Sequence, residues 1–215
     1  ISHCGYQTIV NDGERIHKFY DTGRIVKQDN SAGIRDLLEG TFIEPALWNK
    51  IYKRSLVQQL LDNKKWDRTL RINEDLVMNF ILFENSQCSI YEDFCPYYYL
   101  TRSTSASRSE FKPYKHLDIV KANKWILDNS SQEFNDLCWK RYLMVCMNAY
   151  NEFYNKKNLN KEINDLKTIL KTNKNKWYLL GKKEGFKLKL ILTAPHLYKR
   201  IYKFYLKNFQ KKQYE

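Results

Sequence analysis

No run of the 215 residues approaches the roughly 20 apolar positions a helix needs to cross a bilayer, so nothing reads as a membrane span. The chain also lacks the basic segment and apolar stretch of a secretory signal, and its start at Ile1 rather than Met suggests that residues ahead of it have been removed. Cysteine is sparse and unpatterned: Cys4, Cys88, Cys95, Cys138 and Cys146 are odd in number and contain no Cys-x-x-Cys pair. A disulfide framework and a thiolate zinc site are both disfavoured, and buried reduced thiols in a cytosolic protein are expected. No internal repeat is evident.

An apolar content of 43% with 15% aromatics argues for a folded chain, and the length allows one substantial domain with an appendage. The net charge of +13 is unevenly placed. Residues 1–150 hold 20 Lys/Arg against 19 Asp/Glu, whereas residues 151–215 hold 17 against 5. A compositional bias of the source genome would not segregate charge in this way, so the tail is basic for a positional reason.

Short apolar runs at Thr8–Val10 and Arg24–Lys27 flank Asn11-Asp12-Gly13, which reads as a hairpin turn. Ser31-Ala32-Gly33 opens a short helix, Ile34 to Glu39, that Gly40 ends. Pro45 suits the first turn of a second helix, with Leu47, Ile51 and Leu56 as its apolar stripe. Residues 62–73 read as a surface loop, and a helix is expected from Glu74 to Phe83, with Leu76, Phe80 and Phe83 on one side. Two strand-like runs follow, Cys88–Tyr91 and Tyr97–Leu100, and then a polar loop through Arg108. Beyond it, helices are expected near 114–128, 131–156, 160–172 and 187–210. The domain division is therefore 1–110 for a mixed domain and 111–215 for a basic helical appendage.

Three segments could carry chemistry. In Asn73-Glu74-Asp75, a carboxylate at the mouth of a helix can take a proton from an incoming hydroxyl. The same tripeptide equally fits a capped helix start, with Asn as N-cap and two acids favoured by the helix dipole. In Trp48-Asn49-Lys50 the indole face suits sugar stacking, and the Asn and Lys donors suit hydroxyl or phosphate oxygens. A core Trp beside a solvated basic face is the alternative. Tyr97-Tyr98-Tyr99, followed by Arg102 and Ser105, fits either a polar loop over a diphosphate or a buried strand with an ordinary loop after it.

Taken in order, P-A-L-W-N-K-I-Y-K-R-S, I-N-E-D-L-V-M-N-F and Y-Y-Y-L-T-R-S-T-S-A-S resemble the C-terminal half of family 2 glycosyltransferases that build bacterial capsular and exopolysaccharides. The resemblance covers roughly residues 1–108. It implies an α/β (α+β) fragment, the C-terminal, acceptor-side part of a GT-A nucleotide-diphospho-sugar transferase fold, followed by a mainly helical appendage. It also implies inverting transfer from a nucleotide-sugar donor to a saccharide or lipid-linked saccharide acceptor. In that reading Asp75 is the general base and Glu74 supports it. Trp48, Asn49 and Lys50 line the acceptor side, while Arg102 and Ser105 lie in a loop that can close over the donor phosphates.

The family holds a divalent metal, Mg or Mn, through a D-x-D motif, and this sequence has none. Val10-Asn11-Asp12-Gly13 looks like the family's N-terminal V-N-D-G, but Glu14-Arg15 follows it and it sits too close to Trp48, so the match is coincidental. The metal is therefore expected only in a full-length enzyme, with ligands outside this chain, and the chain alone should be inactive. The aromatic and aliphatic residues interleaved with Lys over 181–215 fit a helix lying on an anionic membrane surface. Plain packing on the core is the alternative. Nucleic acid is disfavoured, because no recognised module is present and the rest of the chain is almost neutral. The implied location is cytoplasmic, peripheral to the inner face of the cell membrane. A non-catalytic basic helical protein that binds anionic membrane or nucleic acid is the competing reading.

Overall fold

Strand β1 (Ser2–Val10) lies at the centre of a five-stranded mixed sheet, seen in a computed structural model of the chain. The structure describes residues 1–10, 14–17, 21–63, 66–100, 111–154, 156 and 158–209, and gives no side chains for 10, 14–17, 203 and 205–209. The expected Asn11-Asp12-Gly13 turn lies outside these residues. The strands beside it, β1 and β2 (Glu14–His17), pair antiparallel with Val10 opposite Glu14. After β3 (Ile25–Asp29) come α1 (Asn30–Glu39), β4 (Lys50–Ile51), α2 (Arg54–Asp62), α3 (Glu74–Glu84), β5 (Cys88–Leu100) and α4 (Pro113–Asn129). The sheet order is β2-β1-β5-β3, with β4 also pairing β1. The central β1–β5 pair is parallel and the others are antiparallel. The protein is thus α+β.

Alternation along β5 turns Ser89, Tyr91, Asp93 and Cys95 inward and leaves Ile90, Glu92 and Phe94 exposed. The two strand-like runs expected here are one strand. Between Cys4 and Tyr6 on β1 the register on β5 jumps from Glu92 to Tyr97, so four residues of β5 stand against Gly5 alone. A bulge tolerates Pro96, which has no N–H to give to a ladder. Gly5 sits opposite the bulge, where a Cβ would come within 2.8 Å of the Cys95 sulfur. The bulge is tied to the chain before β3: the Asp93 carboxylate accepts from the Thr22 N–H (3.0 Å) and hydroxyl (2.5 Å), and the Cys95 N–H donates to Asp21 (2.9 Å).

Helix α1 starts on the Asp29 carboxylate, which accepts from the Ala32 N–H at 2.8 Å, and ends on Gly40 in the left-handed region at φ 68°. Helix α3 is buried nearly all round: Leu76, Val77, Phe80, Ile81, Leu82 and Phe83 are each 2% exposed or less. It is the core helix of the first unit. Burial of six such side chains is the dominant stabilising term there, about 1.5–3 kcal/mol for each.

The expected helix from Pro45 does not form. Residues 45–49 are turns, β4 follows, and helix resumes only at Arg54. Ile51, assigned to that helix's apolar stripe, is 76% exposed on β4. The reason is visible in the backbone carbonyls. Those of Glu44, Pro45 and Ala46, which a helix would give to N–H groups four residues on, accept instead from the Lys50 ammonium and the Asn79 amide.

The chain divides into two compact units, Ile1–Cys138 and Trp139–Glu215. Helix α4, placed by sequence in the appendage beyond residue 110, belongs to the first. Trp125 meets Phe80 of α3 edge-on at 6.3 Å, and Asp118 accepts from the Arg71 N–H at 3.0 Å. A short 3-10 turn (Gln132–Phe134) leads into α5 (Asn135–Phe153), which carries the chain into the second unit with α6 (Asn160–Thr172), α7 (Gly181–Thr193) and α8 (Pro195–Phe209). The single helix expected over 187–210 is two, because Pro195 cannot donate into the preceding helix and begins a new one. Of the cysteines, all free, Cys95, Cys138 and Cys146 are buried as expected, whereas Cys88 is exposed and Cys4 half-buried.

Candidate functional site

Asn49 and Lys50 enter the core where a helix was expected to expose them. Lys50 is 8% exposed, and its ammonium donates to the carbonyls of Glu44 (2.6 Å) and Ala46 (2.6 Å) and to Asn49 Oδ1 (2.9 Å). These three bonds use every N–H an ammonium has. The Asn49 amide donates to the Cys4 carbonyl at 2.8 Å, and the Cys4 N–H returns a bond to the Asn49 carbonyl at 3.1 Å. Asn49 therefore ties this segment to β1, Lys50 holds the segment together from within, and no donor of the Lys50 ammonium is left for a ligand. Burial holds the Lys50 pKa down, to about 8.

Trp48, half-buried, lies over the aromatic end of β5. Its ring stacks on Tyr97 (4.4 Å between centroids, 25°) and Tyr99 (5.1 Å, 21°), and Tyr6 meets it edge-on at 4.8 Å. Tyr97 and Tyr99, two apart on one strand, share a face, which makes this stacking possible. Of the two sequence readings of the Tyr triplet, the strand holds, though Tyr97 and Tyr98 are exposed rather than buried. Arg102 and Ser105, just past the end of β5, lie outside the described residues.

Trp48 and Tyr97 of this stack form one wall of a cavity of about 360 Å³, to which His3, Cys4, Glu92 and Phe94 contribute as well as Asn49 and Lys50. The first four were not legible as site residues. They come from positions as far apart as His3 and Phe94, which only the β1–β5 pairing brings together. His3 is 3% exposed, packs between Phe83 (6.0 Å) and Tyr91 (5.1 Å), and neither ring nitrogen has a hydrogen-bond partner. Burial and the nearby Lys50 charge lower its pKa to about 3, so the imidazole is neutral. Burial likewise pushes the Cys4 thiol up, so it is no ready nucleophile.

Glu74 and Asp75 do open a helix, but not one capped by Asn73. That residue is in the left-handed region (φ 65°), and its side chain makes no capping bond. Only the acids in the first turn follow the simpler reading. The Asp75 carboxylate accepts from the Leu76 N–H at 2.8 Å. Burial, and next the Glu74 charge, raise its pKa to about 6, against the opposing pull of that bond and of Lys50.

Asp75 and Glu74 are not among the residues lining the cavity; they join the Trp48 segment through α3. Asn79, one turn on from Asp75 and fully buried, donates to the Asp75 carbonyl (3.1 Å) and to the Pro45 carbonyl, and accepts from the Tyr52 hydroxyl (2.7 Å). One amide thus clamps the first turn of α3 to both ends of the segment that carries Trp48. The result is a partly buried carboxylate, ionised at neutral pH and avid for protons, fixed relative to an aromatic wall.

Among the described residues no group of three or more His, Cys, Asp or Glu could hold a metal ion. The residues present do not fit the divalent metal that the resemblance implies for a full-length enzyme, and no step below is routed through one. No described helix is long and apolar enough to cross a membrane. Comparison with protein-family models, with curated proteins and with solved structures gives no match.

Proposed function

We propose that this chain is the acceptor-side part of a GT-A-type glycosyltransferase of surface polysaccharide synthesis, peripheral to the inner face of the cell membrane, and that Asp75 is its general base. Asp75 takes the proton of a saccharide hydroxyl as that oxygen attacks the anomeric carbon of a nucleotide sugar and the nucleoside diphosphate departs from the opposite side. The observation that carries the reading is the half-buried Asp75 carboxylate in the first turn of α3, which Asn79 ties to the segment that carries Trp48; burial beside Glu74 raises its pKa to about 6. A base poised near the operating pH is both ionised and effective at taking a proton. The Trp48–Tyr97 stack supplies an apolar platform for a sugar ring. Asn49 and Lys50, expected to contact substrate, act instead as the braces that hold Trp48 in place. Donor nucleotide and metal fall to residues outside this sequence in this reading.

The test is Asp75→Asn in the protein that includes the donor-binding residues. Transfer should fall at least about 100-fold, while donor affinity stays within about twofold, because only the proton acceptor is lost. Near-normal turnover would overturn the base assignment. Metal-dependent hydrolysis of a nucleotide sugar by the 215-residue chain alone would overturn the division of the site.

One observation favours a second, non-catalytic reading as a basic helical protein that binds anionic surfaces: every donor of Lys50 is spent inside the protein. Absence of transfer in every form that contains donor-binding residues would favour it.

A further inference from the structure

Helix α8 has one side packed within the second unit and an apolar stripe that is largely exposed. Tyr198 is 6% exposed and stacks with Tyr202, the Lys199 ammonium donates to the Asn151 carbonyl, and His196 shares a hydrogen bond with the Tyr154 hydroxyl (3.0 Å). These contacts hold the inner side of α8 to the rest of the second unit. Leu197, Ile201 and Phe204 recur at i, i+4 and i+7 on another side and are 52%, 50% and 63% exposed. At about 100° per residue they form a single stripe.

The charged side chains of α8 itself are of one sign, and Glu184 of α7 is paired with Lys187 at 3.2 Å. Helix α8 contains no acidic residue, Arg200 is exposed next to the stripe, and Lys182, Lys183 and Lys189 of α7 are exposed in the same unit. Residues 151–215 as a whole carry 17 Lys/Arg against 5 Asp/Glu. Nucleic acid would satisfy the cations but leave two aliphatic residues of the stripe in water, since bases stack on aromatic rings and here only Phe204 offers one. An anionic bilayer satisfies both, because acyl chains take the apolar stripe and headgroups take the cations.

We propose that α8 docks on the surface of an anionic lipid bilayer, with Leu197, Ile201 and Phe204 entering the interface and Arg200 among the headgroups. At 15 residues it lies in the interface and does not cross it. This deepens the membrane-peripheral element of the proposed function but does not depend on catalysis. Vesicle binding and the turnover of Asp75→Asn can fail separately.

The experiment is flotation of the 215-residue chain with vesicles of phosphatidylcholine alone or with about a third phosphatidylglycerol, at about 0.1 M and 0.5 M salt. Binding is expected on the anionic vesicles at low salt, falling at high salt. The double change Ile201→Ser with Phe204→Ser should lower partition at least about tenfold, as should Arg200→Glu alone, while Leu61→Ser, an exposed apolar residue of α2, should change nothing. All altered positions are solvent-exposed, and circular dichroism reports whether each variant keeps its helix content. If the double variant loses helix, Arg200→Glu decides. Equal binding to neutral vesicles, unchanged binding in the stripe and Arg200 variants, or salt-sensitive binding to duplex DNA with none to vesicles would overturn the proposal.

Discussion

The Tyr52 hydroxyl donates to Asn79 Oδ1 at 2.7 Å, and this bond joins the end of the Trp48 segment to the helix that begins at Asp75. Asn79 is wholly buried and also serves the carbonyls of Pro45 and Asp75. Asn79→Leu keeps the volume but strands the Tyr52 hydroxyl and the Pro45 carbonyl, each at a cost of about 1–3 kcal/mol. We expect a loss of about 2–4 kcal/mol in denaturant unfolding. Tyr52→Phe, which removes one bond from the same amide, should cost about 1 kcal/mol and be nearly silent in the Asn79→Leu background. Additive losses would show that the two side chains are not coupled.

Asp75 should reduce the stability of the protein at neutral pH. Its folded pKa is raised from 3.8 to about 6, so the folded state binds more protons than the unfolded state between those values. Stability therefore falls as pH rises from about 4 to 6 and stays lower above that. Asp75→Asn keeps the acceptor for the Leu76 N–H and removes the charge. It should stabilise the chain at pH 7.5 by on the order of 1–2 kcal/mol, after allowance for partial exposure, and by little at pH 4. Thermal unfolding at the two pH values checks this. A destabilised variant at pH 7.5 would mean that the carboxylate is a structural anion and not a strained functional one.

Helix α3 was legible because its type follows from composition: an acidic first turn and then an apolar run with no breaker. The segment before it was not. Pro45, Leu47 and Ile51 have helical spacing, but the bonds a helix would make are taken by Lys50 from within the segment and by Asn79 from 34 residues beyond Pro45. Local pattern carries no record of such a partner. The same holds for the site. Asp75 stood out by residue type and position, and Trp48 by its neighbours in sequence, yet the spent donors of Lys50 and the cavity residues His3 and Phe94 exist only once β1 and β5 are side by side. Pro195 did carry the signal that splits α7 from α8; its missing N–H outweighed the continuous amphipathic pattern around it.

Lys50 should leave a signature at alkaline pH. Its pKa is lowered from 10.5 to about 8 in the fold, so between those values the unfolded chain binds a proton that the folded chain has lost. Stability thus rises with pH over this window as far as Lys50 is concerned, by on the order of 2–3 kcal/mol in all. Lys50→Met removes that rise but leaves the Glu44 and Ala46 carbonyls without their donor, so at pH 7 it should be destabilising. The difference between the unfolding free energies of the two proteins, followed from pH 7.5 to 10.5, should widen steadily. A constant difference would mean that the ammonium keeps its proton throughout.

His3 should act on the acid side with the sign opposite to Asp75. Its folded pKa is depressed from 6.5 to about 3, so the unfolded chain takes up a proton that the folded chain refuses in this window. The neutral imidazole therefore favours folding fully above about pH 6.5, and that support is lost progressively as pH falls toward 3. Because both ring nitrogens are buried without partners, His3→Phe gives up no hydrogen bond, and its ring keeps the contacts with Phe83 and Tyr91. At pH 7 the variant should match or exceed the parent by about 1 kcal/mol, since an unpaired buried polar group is gone. At pH 4 it should exceed the parent by clearly more, because the proton uptake that drives unfolding is gone too. Urea midpoints at the two pH values decide the matter. A parent that stays as stable as the variant at pH 4 would show that the imidazole is protonated in place.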